Sequence, residues 1–176
     1  MPASYILLDR DGTLIKHIPY LADPDHVELL PNVIEGMKIM KGLGFNFGII
    51  TNQSVIGRGL ATKLEVDRVN ARVIFLLKAE AITISFVLMC PHQPSDICNC
   101  RKPSPALGIV AIEEFGMSPS TSFMIGDADS DISFGRGIGC HTIQIVERPD
   151  KASSADYATI DLLSAAKYIS SQMERV

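Results

Sequence analysis

Short apolar runs alternate along this chain with longer segments of helical period, and that alternation restricts the fold more than any other feature of its 176 residues. Tyr5-Ile6-Leu7-Leu8 reads as a buried strand and Phe45 to Ile50 as a second. Ile82 to Met89 contains a third, Ser122 to Ile125 is a fourth and His141 to Val146 a fifth. A helix is expected from Asn32 to Lys41, with Asn32 placed to cap its start and Gly42 and Gly44 at its stop. Thr62 and Glu65 stand at capping-box spacing and open a helix running to about Glu80. Ser104-Pro105 reads as the N-cap and first residue of a helix ending near Gly116. A short helix follows Ser130, and an amphipathic one runs from Asp161 to about Gln172. Met37, Ile39 and Met40, and likewise Phe75, Leu76 and Leu77, are expected to pack into the core. The pattern predicts an α/β fold: a doubly wound, mostly parallel sheet with helices on both faces, built as a single domain over residues 1–176.

Open parallel sheets bind ligands at the carboxyl ends of their strands, so the residues that follow each apolar run carry the functional information. Asp9-Arg10-Asp11-Gly12-Thr13 follows the first run and Thr51-Asn52-Gln53-Ser54 the second. A Cys/His cluster and then Arg101-Lys102 follow the third, and Gly126-Asp127-Ala128-Asp129-Ser130-Asp131 the fourth. Each motif alone has a bland reading. Two Asp residues spaced by one commonly sit in a turn, and a lone Lys is usually solvated. Their placement after successive strands makes the joint reading strong.

The chemistry this set suits is phosphoryl transfer. A carboxylate at Asp9 can attack phosphorus and form an aspartyl-phosphate. Asp11, two residues on, can protonate the leaving oxygen and then activate water. A hard divalent cation on Asp9 and Asp127 would neutralise the crowded negative charge. Lys102 can hold phosphoryl oxygens as a point charge, and Thr51 can donate a hydrogen bond to them.

DRDGT (9–13), TNQS (51–54), RKP (101–103) and GDADSD (126–131) resemble the four motifs of the haloacid dehalogenase-like phosphatases, over Tyr5 to Val146. The resemblance implies a Rossmann-like phosphatase with Asp9 as nucleophile and Asp11 as general acid/base. It implies Thr51 and Lys102 as phosphoryl stabilisers. It also implies Mg²⁺ on Asp9, the backbone carbonyl of Asp11 and Asp127, with Asp131 in the outer shell. Cys90-x-His92-x₅-Cys98-x-Cys100 is similar to the zinc loop of two subgroups. One is the D-glycero-D-manno-heptose 1,7-bisphosphate 7-phosphatases, the other the histidinol-phosphatases. TNQSVIGRG (51–59) and the His17-Ile-Pro-Tyr20 stretch resemble the heptose group, which implies His17, Tyr20, Asn52, Gln53, Ser54, Arg58 and Arg101 as substrate contacts. Only five residues separate His92 from Cys98, a spacing closer to the histidinol-phosphatase loop, and Ala128 stands where both groups carry a cation. The alternative substrate is therefore histidinol phosphate. A polynucleotide 3′-phosphatase and a non-catalytic module rank below both.

The cluster itself admits a disulfide, a catalytic metal or a structural one. Cys98 and Cys100 are too close for an easy bridge. Cys90, His92, Cys98 and Cys100 together supply four ligands, which fits a closed tetrahedral Zn²⁺ site rather than one with an open position. Such a metal would order a loop with little apolar surface to bury and fix Arg101 and Lys102 directly behind it. Cys140 stands apart and reads as a small buried residue. The connections between motifs are too short for a cap domain, so loops must shape the pocket.

A net charge of −4 and a pI near 5.5 argue against a general nucleic-acid or anionic-membrane binder. The start MPASYILLDRDG lacks the basic and long apolar regions of a signal peptide. The expectation is a cytoplasmic monomer with reduced thiols, acting on a small phosphorylated molecule, with no nucleic-acid or membrane partner.

Overall fold

Tyr5–Leu8, strand β1, is buried at every residue, as a strand covered on both faces must be. The computed structural model describes residues 2–148 and 152–174. β1 pairs with β2 (Asn46–Asn52) on one side and β4 (Phe123–Gly126) on the other, both parallel. β3 (Phe86–Cys90), β5 (His141–Ile145) and β6 (Tyr157–Thr159) complete a six-stranded sheet of order β3-β2-β1-β4-β5-β6, parallel throughout. The five runs read from the sequence are all strands. The sixth, three residues long, is too short to show a period. It pairs with Ile143–Ile145, and Tyr157 stacks on Tyr168 with ring centroids 3.8 Å apart.

The helices divide between the faces. Helices α1 (Val33–Gly42), α3 (Lys63–Ala79) and α6 (Leu162–Met173) join Ile6, Leu8, Ile49 and Ile125 in one apolar cluster. Helices α4 (Ala106–Phe115) and α5 (Asp129–Gly137) close a smaller cluster with Leu7, Ile50 and Met124 on the other. In α3 the stripe Val66, Val69, Val73 and Leu77 is fully buried, each side chain contributing about 1.5–3 kcal/mol. Thr62 and Glu65 form the expected capping box.

Three local expectations are corrected. Phe75 is 62% exposed, because it lies off the α3 stripe that Leu77 belongs to. Asn32 starts α1 from a left-handed conformation, and its side chain donates to Asp161 at the start of α6 instead of capping its own helix. α4 begins one residue later than the Ser-Pro signal suggests, at Ala106, because the Ser104 hydroxyl is bonded to the Asn99 carbonyl. Ser54–Gly57, inside the TNQSVIG segment, forms a one-turn helix, α2. No helix among the described residues is long and apolar enough to cross a membrane.

Candidate active site

The carboxyl ends of β1, β2 and β4 and the loop beyond β3 surround an open cavity of about 440 Å³. It is lined by Asp9, Asp11, His17, Tyr20, Thr51, Asn52, Gln53, Ser54, Arg101, Lys102, Asp127 and Asp131, twelve of the residues singled out from the sequence. Arg58 lies outside that lining, exposed, with its guanidinium 5.7 Å from the centre of the Tyr20 ring. Loops, the one-turn helix α2 (Ser54, Val55) and the start of α5 (Ser130, Asp131) shape the cavity. The chain between β1 and α1 carries only the short 3₁₀ turn Pro24–His26.

The centre of the site is a buried cation between two carboxylates. Lys102 Nζ lies 2.7 Å from Asp9 Oδ1, 2.7 Å from Asp131 Oδ1 and 2.6 Å from the Ile50 carbonyl oxygen. Burial alone would push its ammonium toward the neutral form. The two carboxylates outweigh burial and hold it above the ordinary lysine pKa. Asp131 sits at the start of α5, where its Oδ2 also accepts from the Ala128 amide. Burial, then the charge of Asp9, push the Asp131 carboxyl up to about 6, with Lys102 restraining the rise. Asp127 is pushed up as well, first by burial and then by Asp9. Burial leads both shifts, and the negative charge of Asp9 adds to it.

The TNQS residues organise their neighbours. Asn52 accepts from the Lys102 amide at 3.0 Å and donates to the Lys102 carbonyl at 3.2 Å, clamping that residue's backbone from both sides. Gln53 Nε2 donates to Thr51 Oγ1 and to Asp11 Oδ2, each at 2.8 Å. Gly12 takes a φ of +83°, and a Cβ there would lie 2.2 Å from Asp127 Oδ2. Only glycine lets the first motif pass this close to the fourth.

Beyond β3, the sulfur atoms and one ring nitrogen of Cys90, His92, Cys98 and Cys100 lie within 4.8 Å of one another. Individual separations are 3.1 Å for Cys90–Cys100, 3.8 Å for Cys90–Cys98, 3.6 Å for Cys90 to His92 Nδ1 and 3.3 Å for Cys100 to His92 Nδ1. Metal–sulfur bonds of ~2.3 Å and a metal–nitrogen bond of ~2.1 Å give tetrahedral edges of ~3.8 and ~3.6 Å. The separations from Cys90 to Cys98 and to His92 match these edges, and the two shorter ones to Cys100 would open around a thiophilic cation. Burial, then its bond to Cys100, push the Cys90 thiol up to about 12. A metal must displace that proton to bind there. The loop is seated on α2: the Gly57 amide donates to the Pro91 carbonyl at 2.8 Å, and a Cβ on Gly57 would lie 2.9 Å from that oxygen. Arg101 donates back to the His92 carbonyl at 3.0 Å, so loop and cation are tied together.

The oxygen donors of Asp9, Asp127 and Asp131 also lie within 4.8 Å of one another, a set of hard ligands suited to Mg²⁺. Cys140 is buried and apart from both groups, its thiol pushed up to about 12 by burial. Three residues of the site were not singled out from the sequence. Arg10 is buried against Asp11, and Asn70 on α3 accepts from it. Gln144 on β5 donates to the Asp127 carbonyl at 3.2 Å and to Asp129 at 3.0 Å. Asn70 and Gln144 had a legible signal, since each is a polar side chain at an apolar position of its element.

The HAD-hyrolase-like family model matches residues 99–162. A probable D-glycero-D-manno-heptose-1,7-bisphosphate 7-phosphatase from Thermoplasma volcanium is 35% identical over 134 residues, 76% of this chain and 92% of the relative. The histidine biosynthesis bifunctional protein HisB of Blochmanniella floridana is 36% identical over 143 residues, 79% of this chain but 40% of that longer protein. Among solved structures, the D,D-heptose 1,7-bisphosphate phosphatase from B. bronchiseptica, complexed with magnesium and phosphate, superposes with a TM-score of 0.85 at 22% identity, covering 96% of this chain and 99% of that one. The four motifs met at one sheet edge and these relatives lead to one conclusion: the chain belongs to the haloacid dehalogenase-like phosphatases and is a phosphoric monoester hydrolase.

Proposed function

We propose that the enzyme removes the 7-phosphate of D-glycero-D-manno-heptose 1,7-bisphosphate through an aspartyl-phosphate on Asp9. The observation that carries the chemistry is the Lys102 ammonium held 2.7 Å from Asp9, at the floor of an open, charged cavity. Supporting the substrate are the T. volcanium relative and the heptose-like TNQSVIGRG segment.

In this reading an Asp9 oxygen attacks phosphorus, the bond from phosphorus to the sugar oxygen breaks, and Asp11 gives its proton to that oxygen. Asp11 then takes a proton from water as the water oxygen attacks phosphorus. The bond to Asp9 breaks, leaving the carboxylate and inorganic phosphate. Lys102 and Thr51 hold the phosphoryl oxygens, while Asn52 and Asp131 keep Lys102 in place. His17, Tyr20, Ser54 and Arg101 line the walls where the sugar would lie, with Arg58 at the rim beside Tyr20. Mg²⁺, held by Asp9, the Asp11 carbonyl and Asp127 with Asp131 behind, would supply the positive charge the carboxylates lack. The Cys₃His group would hold structural Zn²⁺ and order the loop that carries Arg101 and Lys102. The enzyme acts as a cytoplasmic monomer in this account.

Histidinol phosphate is the second reading. It is favoured by the five-residue spacing between His92 and Cys98 and by the HisB relative. Phosphate release from heptose 1,7-bisphosphate, both anomers, and from histidinol phosphate separates the two. A kcat/KM at least about tenfold higher for one heptose anomer is expected, a gap of about 1.4 kcal/mol in transition-state binding. The reverse order would transfer the assignment to histidinol phosphate. Stripping the Cys₃His metal with a thiophilic chelator, with Mg²⁺ kept in excess, should cost about tenfold in activity, recovered by Zn²⁺. Unchanged kcat and KM in the stripped protein would exclude the ordering role.

A further inference from the structure

Arg10 is the largest fully buried side chain among the described residues, 1% exposed, and it stands between the two catalytic-motif carboxylates in sequence. A guanidinium out of water must find partners for its donors. Arg10 finds them on both sides. Its Nε lies 3.0 Å and its Nη2 2.9 Å from Asp11 Oδ2, with Asp11 Oδ1 at 3.2 Å. Its Nη1 donates to Asn70 Oδ1 at 2.8 Å, on the buried stripe of α3. Asn70 is 7% exposed and does not line the active-site cavity.

The two oxygens of Asp11 are loaded unequally. Oδ2 takes two contacts from Arg10 and a third from Gln53 Nε2 at 2.8 Å. Oδ1 takes the single, longest one. A carboxylate oxygen offers about two acceptor directions, so Oδ2 is saturated and Oδ1 keeps one to spare. We propose that Arg10, braced from behind by Asn70, is a positioning residue that fixes the Asp11 carboxylate with Oδ1 as the oxygen presented to the substrate's leaving oxygen. The inference rests on the aspartyl-phosphate reading, in which Asp11 serves as acid. It adds that a side chain on α3, outside the active-site lining, governs protonation of the leaving group. Without Asn70, one arm of a buried guanidinium has no acceptor, and the fork rotates away from Asp11. Displacements near 1 Å can cost about 10²-fold in rate.

Leaving-group dependence isolates this role. An alkyl phosphate needs a proton delivered to its departing alkoxide, whereas 4-nitrophenyl phosphate releases a stable phenolate without one. kcat/KM reports events up to release of the alcohol, so the later attack of water does not enter. Asn70→Ala and Arg10→Lys, the latter keeping the charge but losing the fork, are measured on both substrates with Mg²⁺ present. The expected outcome is a fall of about tenfold to 10²-fold on the sugar phosphate and less than about threefold on 4-nitrophenyl phosphate. The ratio of the two values is independent of the fraction of correctly folded enzyme, so partial unfolding of a variant does not mimic the effect. Equal losses on both substrates, or no loss on either, overturn the positioning role. A wild-type enzyme that turned over neither substrate would overturn the aspartyl-phosphate reading beneath it.

Discussion

Replacing Asp9 by Asn is expected to lower Mg²⁺-dependent hydrolysis of sugar and aryl phosphates alike by about 10⁴-fold or more, with the fold intact. An amide oxygen is a poor nucleophile toward phosphorus, and Asp131, the other carboxylate 2.7 Å from Lys102, is more deeply buried and already accepts from the Ala128 amide. The variant amide can still accept from the Lys102 ammonium, which keeps Asp131 and the Ile50 carbonyl as partners. Loss of the Asp9 charge also relieves its neighbours, because that charge helps push both the Asp127 and the Asp131 carboxyls up. The melting temperature at neutral pH should therefore stay level or rise by a few degrees. Phosphate release and a thermal melt on the same sample test both halves. Wild-type turnover in the variant would remove Asp9 as nucleophile, and a large fall in melting temperature would contradict the charge argument.

How much of this was readable before the structure depends on whether the signal is local. β1 was legible because a strand buried on both faces reads as an unbroken apolar run, and β2 because its buried centre, Phe47 to Ile50, does so too. The α3 start was legible because Thr62 and Glu65 satisfy each other within one turn. β6 was not, since three residues show no period and its existence depends on pairing with β5. The same division holds in the site. Asp9, Asp11, Lys102 and Asp127 follow strand ends and declare themselves by position. Arg10 stands in the same motif, yet its use is set by Asn70, 60 positions away. Asn52 and Gln53 were legible as site residues but not in what they grip, because the Lys102 backbone and the Asp11 carboxylate arrive from other segments. Asn32 illustrates the opposite failure: a local capping signal was real, but a tertiary partner, Asp161, took the side chain.

Lys102→Met should damage stability more than Asp9→Asn does, and it should lower activity as well. The side chain is 2% exposed and its ammonium is the cation that lies between Asp9 and Asp131. Methionine fills a similar volume, so little of the effect comes from a cavity. The cost arises because Asp131, itself 2% exposed, is left as a buried charge without its ion-pair partner. Removing one member of such a pair costs about 3–5 kcal/mol. The pH dependence identifies the cause. With Lys102 present, the Asp131 carboxyl already sits up at about 6, raised by burial and Asp9. Without the lysine it rises further. A carboxyl whose folded pKa lies above its unfolded value favours the native state at low pH and loses that contribution as pH climbs through the folded pKa. The gap in stability between wild type and Lys102→Met, measured by denaturant unfolding without added Mg²⁺, should therefore be large at pH 8 and shrink toward pH 5, where Asp131 in the variant is protonated. A gap that stayed constant across that range would mean that lost packing, and not the stranded carboxylate, destabilises the variant. Turnover should fall by about 10²–10³-fold at any pH where the variant is folded, because the donor aimed at the phosphoryl oxygens is gone.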